Sequence, residues 1–283
     1  MLGLSACVNL QGDKKQGDVN AEHSASDHEI LFYWDNINLM DSAWLINSDQ
    51  LQRKLSGFIQ ELSDVPDTIQ VLAIQKMLTK ASTFPDVFPE FFKEVERYLY
   101  NPNSSLRNDA YYEVALRFAI DSISLDSIDR TRNKFRLELV RKNQVGDPAL
   151  DFSFELDDGT STSLYALKSP YTLLFFYEPG CQHCAIAIRK MQGSSGFKRL
   201  LNEELLKVLA IYPFGDRPLW ESYKHEIPNV WMNGIVPEAE IIQNKVYDVR
   251  ATPTIYLLDE DKKVLLKDSD LTTVALFFSG NNI

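Results

Sequence analysis

Two cysteines separated by two residues, Cys181 and Cys184, carry the clearest chemistry in this sequence. They follow an apolar run that predicts a buried strand, and they open a segment that predicts a helix. A helix N-terminus stabilises a thiolate, and the thiolate is the form of cysteine that attacks disulfides. The spacing puts Cys184 about one helical turn on, within bonding reach. The pair is therefore predicted to exchange disulfides, with Cys181 attacking and Cys184 resolving the mixed disulfide.

Two neighbouring side chains are candidates for proton or charge control at this pair. His183 lies between the cysteines, where an imidazole can donate to the Cys181 thiolate or carry a charge beside it. Such an interaction would lower the thiol pKa and make the pair a stronger oxidant. Glu178 stands three residues before Cys181 and can assist proton transfer. The alternatives are an exposed histidine without a role and a glutamate in a surface turn.

The segments around these residues resemble the two active-site halves of the thioredoxin superfamily. The first half is Phe175–Cys184 and the second is Ala251–Thr254. The resemblance implies a cis peptide bond between Thr252 and Pro253, with the Thr252 backbone against the dithiol, where it can pair with a substrate strand. Proline also lacks an N–H, which keeps one hydrogen bond away from the sulfur. Residues 146–152 are similar to the leading segment of the TlpA-like and peroxiredoxin-like branches.

The second half of the chain, residues 144–283, alternates between strand and helix patterns. The pattern predicts a mixed central sheet flanked by helices, which is the α/β thioredoxin-like fold. Asp157-Asp158-Gly159 is typical of a hairpin turn. The predicted strands cover residues 151–156, 172–177, 207–212, 230–232, 251–258 and 264–266, and a last helix covers 270–278.

Residues 28–143 carry apolar residues at helical spacing and predict an all-α domain of four to six helices. Helices are expected from Ser48, from Pro66, over Asn108–Ser124 and over Ser127–Arg141. The run from Tyr98 to Ser104 and the exit at residues 141–147 resemble an uncharacterised helical domain that precedes thioredoxin-like domains in bacterial lipoproteins. No acid–base constellation or metal-ligand spacing stands in this half.

Residues 1–27 are predicted to be a truncated signal segment followed by a flexible polar tether. Leu4-Ser5-Ala6-Cys7 resembles the lipobox of bacterial lipoproteins, in which the cysteine becomes the acylated N-terminus. A basic region and an apolar region, which a complete signal peptide has, do not precede Cys7. The resemblance implies lipidation at Cys7 and a location in the periplasm or cell envelope.

The net charge of −11 argues against nucleic acid and against docking on anionic lipid. No run of about 20 apolar residues predicts a membrane span, and no glycine-rich phosphate loop follows a strand, so no cofactor is expected. The expected partners are protein thiols and disulfides, with an electron donor or acceptor that the sequence does not identify.

Other functions compete with disulfide exchange. Zinc binding needs about four ligands, and one cysteine pair supplies half of them. A peroxiredoxin would have Thr or Ser where Glu178 stands. A surface lipoprotein that binds a partner through its helical half is the non-enzymatic alternative. Among enzymes, a reductase is favoured over an oxidase or isomerase. Phe175 and Gly180 stand where thioredoxin has a buried Asp and an active-site Trp. The substrates of thioredoxin are therefore not expected to be substrates of this protein.

Overall fold

The computed structural model describes residues 25–39 and 48–281, and every structural statement below concerns these residues. The lipobox residues, Cys7 and most of the predicted tether lie outside the described residues, and lipidation stays a prediction. Across the described residues, none of the helices combines the length and the apolar character that crossing a membrane requires.

The first half of the described chain is helical. The described part contains six α-helices before residue 141, which agrees with the predicted four to six. Side-chain caps begin two of them: Asn108 accepts from the Tyr111 N–H, and Asp126 accepts from the Asp129 N–H. The helices are α1 (Ala25–Leu31), α2 (Ser48–Glu61), α3 (Asp67–Ser82), α4 (Phe88–Leu99), α5 (Asp109–Asp121) and α6 (Ser127–Val140).

The helix ends differ from the predicted ends by a few residues. Pro66 is the residue before α3 rather than part of its first turn. Helix α5 ends at Asp121 instead of Ser124, because Ser122 is extended and its hydroxyl accepts from the Ser124 N–H. Serine hydroxyls often compete with the helix in this way.

The second half is built on one seven-stranded sheet in the order β2-β1-β5-β4-β3-β6-β7. β3 pairs parallel with β4, and β4 with β5, whereas the other neighbours are antiparallel. This mixed sheet confirms the predicted fold class. The strands are β1 (Ser153–Leu156), β2 (Ser161–Ser163), β3 (Tyr171–Phe176), β4 (Leu206–Tyr212), β5 (Met232–Ile235), β6 (Thr254–Leu258) and β7 (Val264–Leu266).

Helices cover both faces of this sheet, so the central strand β3 is buried on both sides. Leu173 and Phe175 point into one core, and Leu174 and Phe176 point into the other. This explains the unbroken apolar run in the sequence. The remaining helices are α7 (Gln182–Gly193), α8 (Ser195–Asn202), α9 (Arg217–Tyr223), α10 (Glu240–Gln243) and α11 (Leu271–Gly280).

Two predicted strands differ most from the observed bounds. The short strand expected at residues 230–232 is β5, which starts at Met232 and continues to Ile235. A side chain at Gly234 would lie 2.7 Å from a Phe154 ring carbon, so glycine lets β1 approach β5 closely. The strand expected from Ala251 begins only at Thr254, and residues 251–253 form the loop in front of it.

A buried group of ion pairs joins the helical half to the α/β half. Asp109, the first residue of α5, contacts Arg250 (Oδ1 to Nη2, 2.6 Å) and Lys267 (Oδ2 to Nζ, 2.9 Å). Arg250 also contacts Asp248 at 2.7 Å and donates to the Tyr100 carbonyl at 3.2 Å. The two cationic side chains are only 5% and 6% exposed. The two halves therefore share a polar interface from which most water is excluded.

Candidate active site

The dithiol lies where β3 passes into α7. Gly180 has a φ of +79°, which a glycine adopts at little cost, and the Cys181 N–H donates to the Glu178 carbonyl at 3.1 Å. Cys181 is the N-cap of α7, and its Sγ accepts from the Cys184 N–H at 3.2 Å. The sulfur therefore occupies the position at which a helix stabilises negative charge.

The two cysteines differ sharply in their access to solvent. Both are free thiols; Cys181 is partly exposed, whereas Cys184 is completely buried. The Cys181 thiol lies 3.3 Å from the carbonyl oxygen of Thr252, and the peptide bond between Thr252 and Pro253 is cis. The structure thus brings four predicted site residues together: Cys181, Cys184, Thr252 and Pro253. The Cys181 sulfur is therefore accessible to a partner protein, whereas the Cys184 sulfur is shielded from solvent.

The surroundings of Cys181 favour its thiolate. Partial burial is the largest single influence and raises the pKa of Cys181. Hydrogen bonds with the side chains of Cys184 and Thr252, and with the backbone N–H groups of Cys184 and His183, outweigh burial, and the pKa of Cys181 is lowered. Burial raises the pKa of Cys184 to about 12, and its hydrogen bond to Cys181 acts in the same direction. The geometry therefore assigns the nucleophile to Cys181.

We expect the alkylation of the reduced protein by iodoacetamide to report this difference. Because only the thiolate reacts, the rate at Cys181 will rise with pH and level off with a midpoint below that of N-acetylcysteine. Cys184 will stay unmodified over the same pH range. Mass spectrometry of digested samples separates the two sites. A Cys181 midpoint at or above that of N-acetylcysteine would contradict the lowered pKa.

The other two predicted site residues contact the dithiol through their backbones. The His183 side chain is exposed at the surface of α7, and its backbone N–H is the group that favours the Cys181 thiolate. The Glu178 side chain is also exposed, while its carbonyl accepts from Cys181 and its backbone favours the thiolate of Cys184. Catalytic roles for the imidazole and the carboxylate stay predictions.

The structure adds polar residues that the sequence reasoning did not select. Tyr177 is buried in the same core as Cys184, and its hydroxyl donates to Asn233 Oδ1 at 2.8 Å. Burial is the largest of the influences that raise the pKa of Tyr223, and its electrostatic coupling to Cys184 acts in the same direction. Tyr223 therefore keeps its proton at neutral pH close to the dithiol. In the sequence, a tyrosine among apolar residues is typical of the core, so neither tyrosine was predicted to lie near the active site.

Comparison with known proteins gives one match for the helical half and another for most of the chain. Residues 28–143 match a family described as a domain of unknown function, DUF5106. A thioredoxin-like protein from Bacteroides caccae, known as a crystal structure, is 32% identical; the alignment covers 90% of this chain and 92% of that chain, with a TM-score of 0.84. A comparison with curated proteins finds no match.

Shorter solved structures match about half of this chain. The C-terminal domain of an uncharacterized protein from Bacteroides fragilis is 39% identical over 48% of this chain and 98% of that chain, with a TM-score of 0.48. A domain of a possible thiol-disulfide isomerase from Cytophaga hutchinsonii is 22% identical over 50% of this chain and 95% of that chain, with a TM-score of 0.43.

Proposed function

This chain belongs to the thioredoxin-like family, and from that premise we propose that it is a thiol–disulfide oxidoreductase whose substrates are other proteins. The observation that carries the proposal is the unequal pair at the start of α7. Cys181 is accessible, accepts a helix N–H and lies 3.3 Å from the Thr252 carbonyl, whereas Cys184 is buried behind it. An exposed attacking thiolate and a shielded resolving thiol are what disulfide exchange requires.

The reaction proceeds in two exchanges. The Cys181 thiolate attacks one sulfur of the substrate disulfide; that bond breaks, and the second substrate sulfur leaves as a thiolate that takes up a proton. Cys184 then loses its proton and attacks Cys181 Sγ, which releases the first substrate sulfur as a thiolate. Two electrons have passed to the substrate, and Cys181 and Cys184 are joined as a disulfide. A separate thiol donor must reduce this disulfide before the next cycle.

The direction we propose is reduction of substrate disulfides. Its support is the similarity of residues 146–152 to the leading segment of TlpA-like proteins. The lowered pKa of Cys181 favours the second candidate, a disulfide donor, because a stabilised thiolate stabilises the reduced pair. We further propose that the protein acts in the periplasm or cell envelope and is anchored through Cys7. That proposal rests on the resemblance of residues 4–7 to a lipobox.

The reduction potential of the Cys181–Cys184 pair tests the proposed activity and its direction together. A reductase is expected to equilibrate near the potential of thioredoxin, about −270 mV, and to reduce insulin disulfides with dithiothreitol as donor. A potential near about −120 mV would identify a disulfide donor instead. His183→Gln is the matched variant. A more negative reduction potential in this variant than in wild type would show that the imidazole raises the potential of the pair. A pair that neither equilibrates with thiol buffers nor accelerates insulin reduction would exclude the proposed function.

A further inference from the structure

A groove of about 870 Å³ leads away from the dithiol along α7. His183, Ile186, Ala187 and Lys190 line one side, at the spacing of one helix face. Thr252 and Pro253 line the end nearest the reactive sulfur, and the N-terminal part of α11 lines the opposite side. From His183 to Lys190 the helix rises about 10 Å, the length of roughly three residues of extended polypeptide. The groove therefore has room for a segment of a substrate chain.

The helical half of the protein supplies one wall of this groove. Pro102, Asn103 and Arg107, from the turn between α4 and α5, line it together with the residues of the redox half. Arg107 fixes this wall to the loop before α11, because its guanidinium contacts the Asp268 carboxylate at 3.3 Å and also donates to the Asp268 carbonyl. The wall is thus attached to the α/β half next to the reactive site.

Hydrogen bonds within the turn hold Asn103 in place and leave its side chain exposed. The Asn103 N–H donates to Asn101 Oδ1 at 2.9 Å, and the Ser104 hydroxyl donates to the Tyr98 carbonyl at 2.6 Å. Within the described residues, the Asn103 side-chain amide has no hydrogen-bond partner in the protein. An amide offers both donors and an acceptor, as an extended polypeptide backbone does. Asn103 is therefore suited to pair with the backbone of a chain lying in the groove.

The charges along the groove largely cancel, and its α7 side is apolar at Ile186 and Ala187. Arg107 is neutralised by Asp268, and Asp270 accepts from the Thr273 N–H as the cap of α11. Lys190 lies at the rim. Ile186 is 42% exposed and presents an apolar surface to the groove from the α7 side. This combination fits an uncharged segment with an apolar side chain better than an acidic or basic one.

We propose that the helical half acts as a specificity element, which walls the groove and binds, through Asn103, an extended polypeptide segment with an apolar residue beside its reactive cysteine. This inference rests on the proposed function and names the substrate class of the same site. Small disulfides need only reach Cys181 and do not occupy the groove. The helical half therefore affects the kinetics of polypeptide substrates and not those of small disulfides.

The test compares Asn103→Trp with wild type on two kinds of substrate. A disulfide-linked peptide with leucine beside the reactive cysteine probes the groove, and dithiobis(nitrobenzoate) probes the dithiol alone. We expect the variant to lose roughly tenfold or more in kcat/KM for the peptide, mainly through KM. Its rate with the small disulfide and its reduction potential will match those of wild type. Ser105→Trp is the matched control, since Ser105 is exposed in the same turn and does not line the groove.

A second peptide, with glutamate in place of the leucine, tests the substrate class. Wild type is expected to prefer the leucine peptide, whereas Asn103→Trp, which removes a contact to the peptide backbone, is expected to lose kcat/KM with both peptides. Equal peptide kinetics for wild type and Asn103→Trp would overturn the inference, as would an equal loss with both kinds of disulfide. If wild type reduces neither the peptides nor the small disulfide, the proposed function itself is overturned.

Discussion

Replacing Cys181 with serine will reduce disulfide exchange to the uncatalysed rate, a loss of at least roughly 10³-fold. A serine hydroxyl at the helix N-terminus stays protonated at neutral pH, and it does not attack a substrate disulfide. Cys181 is the accessible member of the pair and the one with the lowered pKa, so Cys184 cannot replace it as the attacking group. The reduction of insulin with dithiothreitol as donor measures the loss.

Cys184→Ser is the matched variant, because it keeps the attacking thiolate and removes the resolving thiol. It is expected to form the first bond with the substrate and then stall. The covalent complex will be visible in non-reducing electrophoresis, and its mass will equal the sum of the two proteins. Substantial turnover by Cys181→Ser, or a complex formed through Cys184 in that variant, would show that the roles are reversed.

The redox half was predictable because its signals are local. The apolar run of β3 reports a strand buried on both faces, and the cysteine after the Glu178-Pro179-Gly180 turn becomes the cap of α7. Such features depend on a few neighbouring residues, which is why the strand and the helix agree closely with their predicted positions. Sheet order depends on distant pairings, so nothing local showed that β1 would lie against β5.

The role of the helical half could not be read from its own sequence. Its contacts with the redox half are made by ordinary charged residues such as Arg107 and Asp109, which are typical of exposed helix ends. Only their partners, Asp268 and Arg250, show that they lie at an interface, and these partners are more than 100 residues away in the chain. Asn103 likewise reads as one more residue of a turn. The catalytic roles of His183 and Glu178 stay predictions, and His183→Gln tests the first of them.

Asp109→Ala will lower the free energy of unfolding by about 3 kcal/mol or more, the usual cost of removing one partner from a buried ion pair. The carboxylate contacts Arg250 at 2.6 Å and Lys267 at 2.9 Å, and its loss leaves both buried cations short of a partner. Urea denaturation, followed by circular dichroism, measures the change. Glu113→Ala is the control in the same helix, because its partners Arg117 and Arg141 are 55% and 56% exposed and such exposed pairs contribute at most about 1 kcal/mol each. Equal effects of the two substitutions would contradict a buried interface.

The pH dependence of this effect follows from the pKa of Asp109. Burial alone raises that pKa, but the charges of Arg250 and Lys267 outweigh burial and hold it below its usual value. A carboxylate whose pKa is lower in the folded than in the unfolded protein stabilises the fold. This stabilisation is complete above the pKa that the carboxylate has in the unfolded protein, near 4, and is lost as the pH falls through its pKa in the folded protein. The difference between wild type and Asp109→Ala must therefore be constant near neutral pH and shrink in acid. A difference that persists unchanged in acid would mean that Asp109 acts by packing, and that the two halves are held together by contacts other than its charge.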